Sequence, residues 1–448
     1  MSALEPGVRV HIVGVGGAGM SGLARLLSEM GCVVSGSDAL ESGVTDELRL
    51  AGIEIHVGHR ASNIGTADLV LWSPAVASDN VELESAREHG VTLMTRAQVL
   101  ASLGQRQRVI GLTGTHGKTT ATSMMVHVLR AARRDDSRLL GAPVLGVGAN
   151  GHWGSGDLVM EVDESYGTFA LLSPYALGLL NVEPDHLDHY GTTDALEDAF
   201  ARLVSRTSGP VVAWSDDEGV RRVVAATTSE VSTVALHADA HWRVSDVQLA
   251  HRAATFHLAG PGRELTATLA VTGLHNVANA AVVAVLALEI GLDPDAVVKG
   301  LEHFRGAPRR FEFVGHWRAA DVYEDYAHLP GEIEATLAGA RAAGYQRITA
   351  VFQPHRITRT EHLAASFAAA FDDAARVVVT DIYGAGEANP RGVTGQLVAD
   401  VVRAPCVYAP GFDDVLNELA RIDDSDALIF LGAGDVATLA RRLPGGLD

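Results

Sequence analysis

Apolar residues fall along this chain in two alternating rhythms: short, nearly continuous runs, and longer stretches where they recur every third or fourth position. Between residues 8 and 100 the runs VRVHIVGVG, CVVSGSD, IEIHVG and ADLVLWSPAV alternate with the helical patterns MSGLARLLSEMG and TDELRLAG, and VTLMTRAQVLASL closes the series. A second series begins at RVIGLTG and passes through LVMEVDES and ALGLLNVEPDH to GPVVAWSDDEG. Alternating β patterns follow at about 230 to 272, and then the helix HNVANAAVVAVLALEIG. A third series opens near FRGAPRRFEFVG and contains VYEDYAH, ITAVFQPH, RVVVTDIYGAGE, CVYAP and ALIFLGAGDV. Short apolar strands separated by helices are the pattern of parallel sheets covered on both faces. Three α/β domains are therefore predicted, over 1–107, 108–308 and 309–448, with no internal repeat, low-complexity segment or long linker.

Glycines punctuate two of the strand-to-helix turns. GLTGTHGKTT, positions 111 to 120, misses the full Walker spacing because Leu112 stands where the first glycine belongs. Its shorter core, Gly114-Thr115-His116-Gly117-Lys118-Thr119 with Thr120 behind it, sits between the strand RVIGLTG and the helix TTATSMMVHVLRAA. Backbone N–H groups and the helix dipole hold phosphates at such a turn, so a P-loop ATPase-like central domain is expected; a turn without a ligand is the plainer alternative. Lys118 and Lys299 are the only lysines among 35 basic residues. A chain that otherwise writes arginine has kept lysine in the loop, where a compact ammonium on a flexible stem reaches a phosphate. Lys299, in DAVVKGLEHF, reads as a solvated helix residue.

The other turn, Gly14-Val-Gly16-Gly17-Ala-Gly19 with Asp38 at the end of the next strand, fits a dinucleotide fingerprint and makes the first domain Rossmann-like. Taken alone it suggests NAD or FAD, or a turn needed only for packing. Acids crowd two strand ends beyond the phosphate loop: Glu161, Asp163 and Glu164 in LVMEVDES, and Glu183, Asp185, His186 and Asp188 in NVEPDHLDHY. Open parallel sheets bind ligands at these ends, and phosphoryl transfer needs hard oxygen ligands for magnesium, with Thr119 supplying the loop hydroxyl. The last, again Rossmann-like, domain carries Arg310, Asp325, Tyr326, His328, Arg356 and Arg359, a set suited to carboxylate or phosphate; an exposed ion-pair face is the alternative.

Composition narrows the partners. A formal charge of −20 on 448 residues that are 47% hydrophobic disfavours nucleic acid or an anionic membrane. Cys32 and Cys406 lie far apart without metal spacing, and no signal peptide or membrane-length apolar run is present, which suits a cytoplasmic protein, monomer or homodimer.

TGTHGKTT, NVEPDHLDHY, GLHNVANA, RRFE and DYAH occur in the order shown by the Mur ligase family, the ATP-dependent amide-forming enzymes of peptidoglycan precursor synthesis, and the chain resembles that family over essentially its whole length. GVGGAGMSGLARLL, EVDES, VFQPHRITRT and DIYGAGE resemble the branch that joins L-alanine to UDP-N-acetylmuramate. The resemblance implies that Gly16, Gly17, Gly19, Ser37, Asp38 and His59 contact the UDP of the substrate rather than NAD. It implies ATP at Gly114, Thr115, His116, Gly117, Lys118, Thr119 and Thr120, with Mg2+ on Thr119, Glu161 and His186. Asn276 and Asn279 would face the adenine, Arg310 and Asp325 the phosphates and ribose. Tyr326, His328, Arg356 and Arg359 would hold L-alanine, and Lys118, Glu161, His186, His328 and Arg356 would carry catalysis. Where the branch reads YGHHP this chain has YAHLP, so Ala327 and Leu329 leave the amino acid less fixed than the reaction. The carbamylated lysine of the later ligases has no candidate, since no lysine lies between Lys118 and Lys299. A ligase recycling a whole peptide, an inactive nucleotide-binding homologue and an NAD-dependent oxidoreductase remain as alternatives.

Overall fold

The computed structural model describes residues 4–443. Its strands are β1 (Arg9–Val13), β2 (Val33–Asp38), β3 (Glu54–Val57), β4 (Leu69–Trp72) and β5 (Thr92–Thr95); β6 (Val109–Thr113), β7 (Asp136–Leu139), β8 (Gly151–His152), β9 (Asp157–Glu161), β10 (Ala176–Leu179), β11 (Val211–Trp214), β12 (Ser232–Ala235), β13 (Trp242–Ala250), β14 (Ala253–Gly260) and β15 (Arg263–Leu269); and β16 (Glu312–Trp317), β17 (Ala320–Asp325), β18 (Ile348–Phe352), β19 (Arg376–Val379), β20 (Cys406–Tyr408) and β21 (Ala427–Leu431). They form three sheets, one for each series in the sequence, in a three-domain α/β architecture. By contacts the chain divides into two compact units. One runs to Val247 and adds Thr255–Leu269 and His275–Arg305; the other holds Gln248–Ala254, Ala270–Leu274 and the chain from Gly306.

The first unit contains two of the sheets. The smaller has the order β3-β2-β1-β4-β5 and is parallel throughout. Val10, Ile12 and Leu71 are buried in it, which is why those strands read as continuous apolar runs. The larger sheet, β15-β14-β13-β12-β11-β10-β6-β9-β7-β8, centres on β6, whose five residues are all buried between the parallel neighbours β9 and β10. The helix Leu274–Glu289 is buried almost throughout from Asn276 to Leu288, consistent with its near-absence of polar residues. Lys299 is exposed on the helix Pro294–His303, as its context suggested.

A tight seam joins the two sheets. A Cβ on Gly151 would stand 1.9 Å from the Gly22 carbonyl oxygen, and one on Gly22 would stand 2.9 Å from Leu139 Cδ1. Asn150 Nδ2 donates to the Ala18 carbonyl at 3.1 Å and to Ser21 Oγ at 3.2 Å. The helix Ala18–Glu29, which opens the first glycine turn, thus packs backbone to backbone on the edge beside β7. Sequence patterning missed this edge, because β7 reads Asp-Ser-Arg-Leu; Arg138 donates to Asp136 at 2.9 Å, and the pair lets two charged side chains lie buried in the strand. The helix Val81–Glu88 was missed for a similar reason, its sequence being rich in charge.

In the second unit the order is β16-β17-β21-β18-β19-β20, with β16 antiparallel to β17 and the remaining pairs parallel. Residues 248–254 contribute His251, stacked on Tyr345 at 4.2 Å, and Arg252, whose Cζ lies 4.4 Å from the Phe313 ring centre. No helix among the described residues is long and apolar enough to cross a membrane.

Candidate active site

The loop between β6 and the helix Lys118–Ala131 has the geometry of a phosphate cradle. Gly114 has φ +144° and Gly117, which caps the helix, has φ +81°; only glycine takes both without strain. Close neighbours reinforce the requirement, since a Cβ on Gly117 would lie 2.7 Å from Asn279 Oδ1, and one on Gly114 would lie 2.9 Å from the Asn181 carbonyl. Asn181 pins the loop by accepting from the His116 N–H at 2.7 Å and donating to the His116 carbonyl at 3.1 Å. Thr115 is tied to the backbone of Glu183, and Thr120 is buried behind the loop. Asn276 and Asn279 are both buried on their helix, Asn279 directly against Gly117.

Lys118 folds back over this loop. Its Nζ donates to the carbonyls of Gly114 and Thr115 at 2.7 and 3.1 Å and to both oxygens of Glu164 at 2.9 Å. Glu164 is 1% exposed, and burial pushes its carboxyl up while Lys118 pulls it down. Glu161, at the end of β9, accepts from the Gly141 N–H at 2.7 Å and is hydrogen-bonded to Thr119; burial raises its pKa. His186, in left-handed backbone at φ 52°, places Nε2 at 3.8 Å from Glu164 Oε1 and 3.7 Å from Asp185 Oδ2. Donor atoms of Glu164, Asp185 and His186 lie within 4.8 Å of one another. Of the residues expected to hold magnesium, the fold brings Thr119 to Glu161, and His186 to Glu164 and Asp185. Carboxylate oxygens around a loop hydroxyl suit a hard divalent cation, with the imidazole as the softer member. The side chain of Asp188 lies outside the described residues.

The first glycine turn is built around two acids. Gly14 has φ +75°, and the Gly16 N–H donates to Asp38 Oδ2 at 2.9 Å. Gly17 caps the helix Ala18–Glu29, while Gly19 lies against the Arg96 guanidinium. Ser37 and His59, expected near the nucleotide, meet at Glu82: Ser37 Oγ donates at 2.5 Å, and His59 Nδ1 lies 3.4 Å away. Asn63 Nδ2 donates at 2.6 Å, the Arg60 N–H at 3.2 Å, and His11 Nε2 lies at 3.4 Å. Burial alone would raise the Glu82 carboxyl, but the hydrogen bonds from His11, Ser37 and Asn63 outweigh it and hold the group down to about 2. Sequence reasoning did not select Glu82, whose setting in NVELESARE looks like any solvated charged helix.

Within the second unit, His328, Arg356 and Arg359 gather around His355, and Tyr326 packs on His328 with ring centres 5.4 Å apart. The His328 and His355 rings are 5.7 Å apart, Tyr383 stacks on His355 at 5.7 Å, and Arg359 Nη1 donates to His355 Nδ1 at 3.2 Å. An arginine has no acceptor, so His355 Nδ1 bears the lone pair and the ring is neutral. Burial first, then His328, Arg359 and Arg356, push His355 down to about 4. Arg356, at φ 70°, is exposed, with Nε 3.8 Å from Glu387. Asp325 accepts from the N–H groups of Phe311 and Ala327 at 2.8 and 2.7 Å, and burial raises it to about 6. Arg310 is exposed beside Tyr326, whereas Arg309 is committed to the carbonyls of Gly432 and Gly434. Ala327 is buried, and the Leu329 N–H donates to Glu332 at the start of the helix Pro330–Ala342. His355 and Tyr383 lay inside VFQPHRITRT and DIYGAGE, which were legible as family stretches but not as contacts.

A lysine-bearing glycine loop on one mixed sheet, seamed to a dinucleotide-type turn on a parallel one, gives the chain the architecture of a multidomain α/β enzyme. The chain belongs to the Mur ligase family: family models match as the Mur ligase catalytic domain over residues 9–108, the Mur ligase middle domain over 112–287 and the Mur ligase glutamate ligase domain over 309–434. It is 43% identical over 446 residues to the UDP-N-acetylmuramate–L-alanine ligase of Kineococcus radiotolerans, covering 96% of this chain and 94% of that one. It is 40% identical to the enzyme of the same name from Clavibacter sepedonicus, covering 98% and 94%. Among solved structures it resembles the UDP-N-acetylmuramate-alanine ligase of Thermotoga maritima, with TM-score 0.84, 31% identity and coverage of 97% and 98%. A murein peptide ligase from Psychrobacter arcticus shares the fold at TM-score 0.72 and 23% identity, with coverage of 98% of each chain.

Proposed function

We propose that this enzyme joins L-alanine to the carboxylate of UDP-N-acetylmuramate, with ATP supplying the driving force. The observation that carries the reading is likeness to the L-alanine ligases over nearly the whole chain, at 40–43% identity. Residues 1–107 hold the UDP end of the substrate, 108–308 the ATP, and 309–448 the amine.

The chemistry follows from the groups in place. A carboxylate does not condense with an amine in water unaided, so it is first phosphorylated. The ATP γ-phosphate passes to the muramoyl carboxylate with loss of ADP; the alanine amine then attacks the acyl carbon, and phosphate leaves the tetrahedral intermediate. Lys118 neutralises charge on the transferring group, while the loop N–H groups fix the phosphates. To do so Lys118 exchanges Glu164 for phosphate oxygens. Thr119, Glu161 and His186, with Glu164 and Asp185 beside His186, would hold Mg2+, which when bound neutralises phosphate charge. Tyr326, His328, Arg356 and Arg359 orient the amino acid, the guanidinium fork taking its carboxylate. Free cysteines at Cys32 and Cys406 suit work in the reducing cytoplasm, as a monomer or homodimer.

The test is phosphate release from ATP and magnesium with UDP-N-acetylmuramate, adding L-alanine, glycine, L-serine or a muropeptide tripeptide separately. Release that requires both the nucleotide sugar and L-alanine is expected. Release with tripeptide alone would reassign the enzyme to peptide recycling, and none with any amine would mean an inactive homologue.

A further inference from the structure

Arg96 is the first residue of the helix Arg96–Gly104, directly after β5. Its guanidinium lies flat on the first glycine turn: a Cβ at Gly19 would stand 2.8 Å from Nη2, 2.9 Å from Cζ and 3.0 Å from Nε. Its Nη1 reaches the other way, to Asp163 Oδ2 at 3.4 Å. Asp163 follows Glu161 on the strand end beside the phosphate loop and feels Lys118; burial raises its pKa, but Lys118 and Arg96 outweigh that and hold it low. One side chain therefore spans the turn expected to hold the nucleotide sugar and the acids around the ATP loop, across a seam fixed by Asn150 and Gly151.

That side chain is poorly satisfied for its position. It is 17% exposed, its bond to Asp163 is longer than the ordinary range of about 2.7–3.2 Å, and the buried Nε–H has no partner among the described residues. A cation placed only to lock the seam would be expected to use its fork fully, because buried donors left unpaired are costly. Gly19 meanwhile leaves the guanidinium room that any side chain would close.

We propose that Arg96 binds an oxyanion of the nucleotide sugar, either a diphosphate oxygen or the reacting carboxylate, and so positions the substrate between the two glycine loops. The proposal rests on the function put forward above. An oxyanion would complete the fork and leave Asp163 to Lys118 and Ser165, whose hydroxyl already donates to Asp163 at 2.7 Å.

The experiment is titration of wild type, Arg96→Ala and Arg96→Lys with UDP-N-acetylmuramate, UDP-N-acetylglucosamine, UDP and ATP by calorimetry, alongside thermal unfolding. Arg96→Ala is expected to weaken UDP-N-acetylmuramate by about 10–100-fold while leaving ATP within about threefold. Guanidinium ion is expected to restore part of the loss. Loss shared with UDP and UDP-N-acetylglucosamine identifies the diphosphate; loss confined to the muramate identifies the carboxylate, which the other two ligands lack. Should Arg96→Ala fail to fold, Arg96→Lys and Asp163→Asn carry the test: the first keeps a charge without the fork and should still weaken the sugar, the second frees Arg96 and should not. Undiminished nucleotide-sugar binding by a folded Arg96 variant overturns this inference alone. Binding of none of the uridine ligands by wild type overturns the proposed function and this inference with it.

Discussion

The Lys118 ammonium is enclosed by both carboxylate oxygens of Glu164, each 2.9 Å from Nζ, so the loop cation is neutralised by an acid that is 1% exposed. Two losses follow from Lys118→Ala. Phosphate release should fall about 100-fold or more, as when a charge-stabilising donor is removed from a transition state. Stability should fall too, because an unpaired buried carboxylate costs about 3–5 kcal/mol when its partner is deleted. Adding Glu164→Gln to Lys118→Ala should recover much of the stability and none of the activity. Urea midpoints and phosphate release on the three variants check this; a stable Lys118→Ala would mean the pair is weak.

Glu82 joins His11, Ser37, His59, Arg60 and Asn63, and its replacement should be felt at the first glycine turn. Glutamine presents an amide N–H₂ to donors on Ser37 and Asn63, so Glu82→Gln should cost about 1–3 kcal/mol and raise the KM for UDP-N-acetylmuramate more than that for ATP. The native carboxyl is held down to about 2 from its ordinary 4.5. Its contribution is thus present above about pH 4.5 and lost as pH falls toward 2. Acid titration followed by circular dichroism should show a shallower slope in that window for the variant.

Most of the architecture was legible because β1, β6, β18 and β21 are buried along their whole length or nearly so, and write that burial as unbroken apolar runs. The glycine turn before Lys118 was legible because its glycines and lysine are local. What escaped has a common cause: β7 hides a buried ion pair, and the helix Val81–Glu88 hides one buried acid among exposed ones. Charge in sequence looks solvated until its partners are known. Glu164 was named at a strand end, but its closure on Lys118 spans 46 positions and left no local trace. Arg96 and His355 escaped in the same way, since each matters through residues remote in sequence or through stretches recognised only as a family pattern.

The seam between the first two sheets admits no side chain at Gly151. A Cβ on Gly151 would stand 1.9 Å from a backbone oxygen, which cannot yield as a flexible side chain would. Gly151→Ala should cost about 3 kcal/mol or more, at the upper end for overpacking. Gly331→Ala is the control: that glycine lies in the helix Pro330–Ala342 with nothing within 4 Å of its Cβ, so alanine should stabilise by about 0.5–1 kcal/mol. Thermal midpoints moving in opposite directions confirm the pair; a tolerated Gly151→Ala would mean the seam opens readily.

His355 offers a titration and a functional readout. Its ring, accepting from Arg359 at Nδ1, stays neutral down to about pH 4, against about 6.5 in an unfolded chain. Between those values the unfolded chain binds a proton that the native protein refuses, so stability contributed here falls as pH drops from about 6.5 to 4. Ring-proton resonances of His355 should therefore show no midpoint near 6.5. Function separates the acceptor from the ring. In His355→Gln the new amide oxygen can still accept from Arg359, and the KM for L-alanine should stay within about threefold, whereas His355→Leu leaves Arg359 without that partner and should raise it about tenfold. Equal effects from both variants would show that stacking on Tyr383, rather than the hydrogen bond, is what orders Arg359.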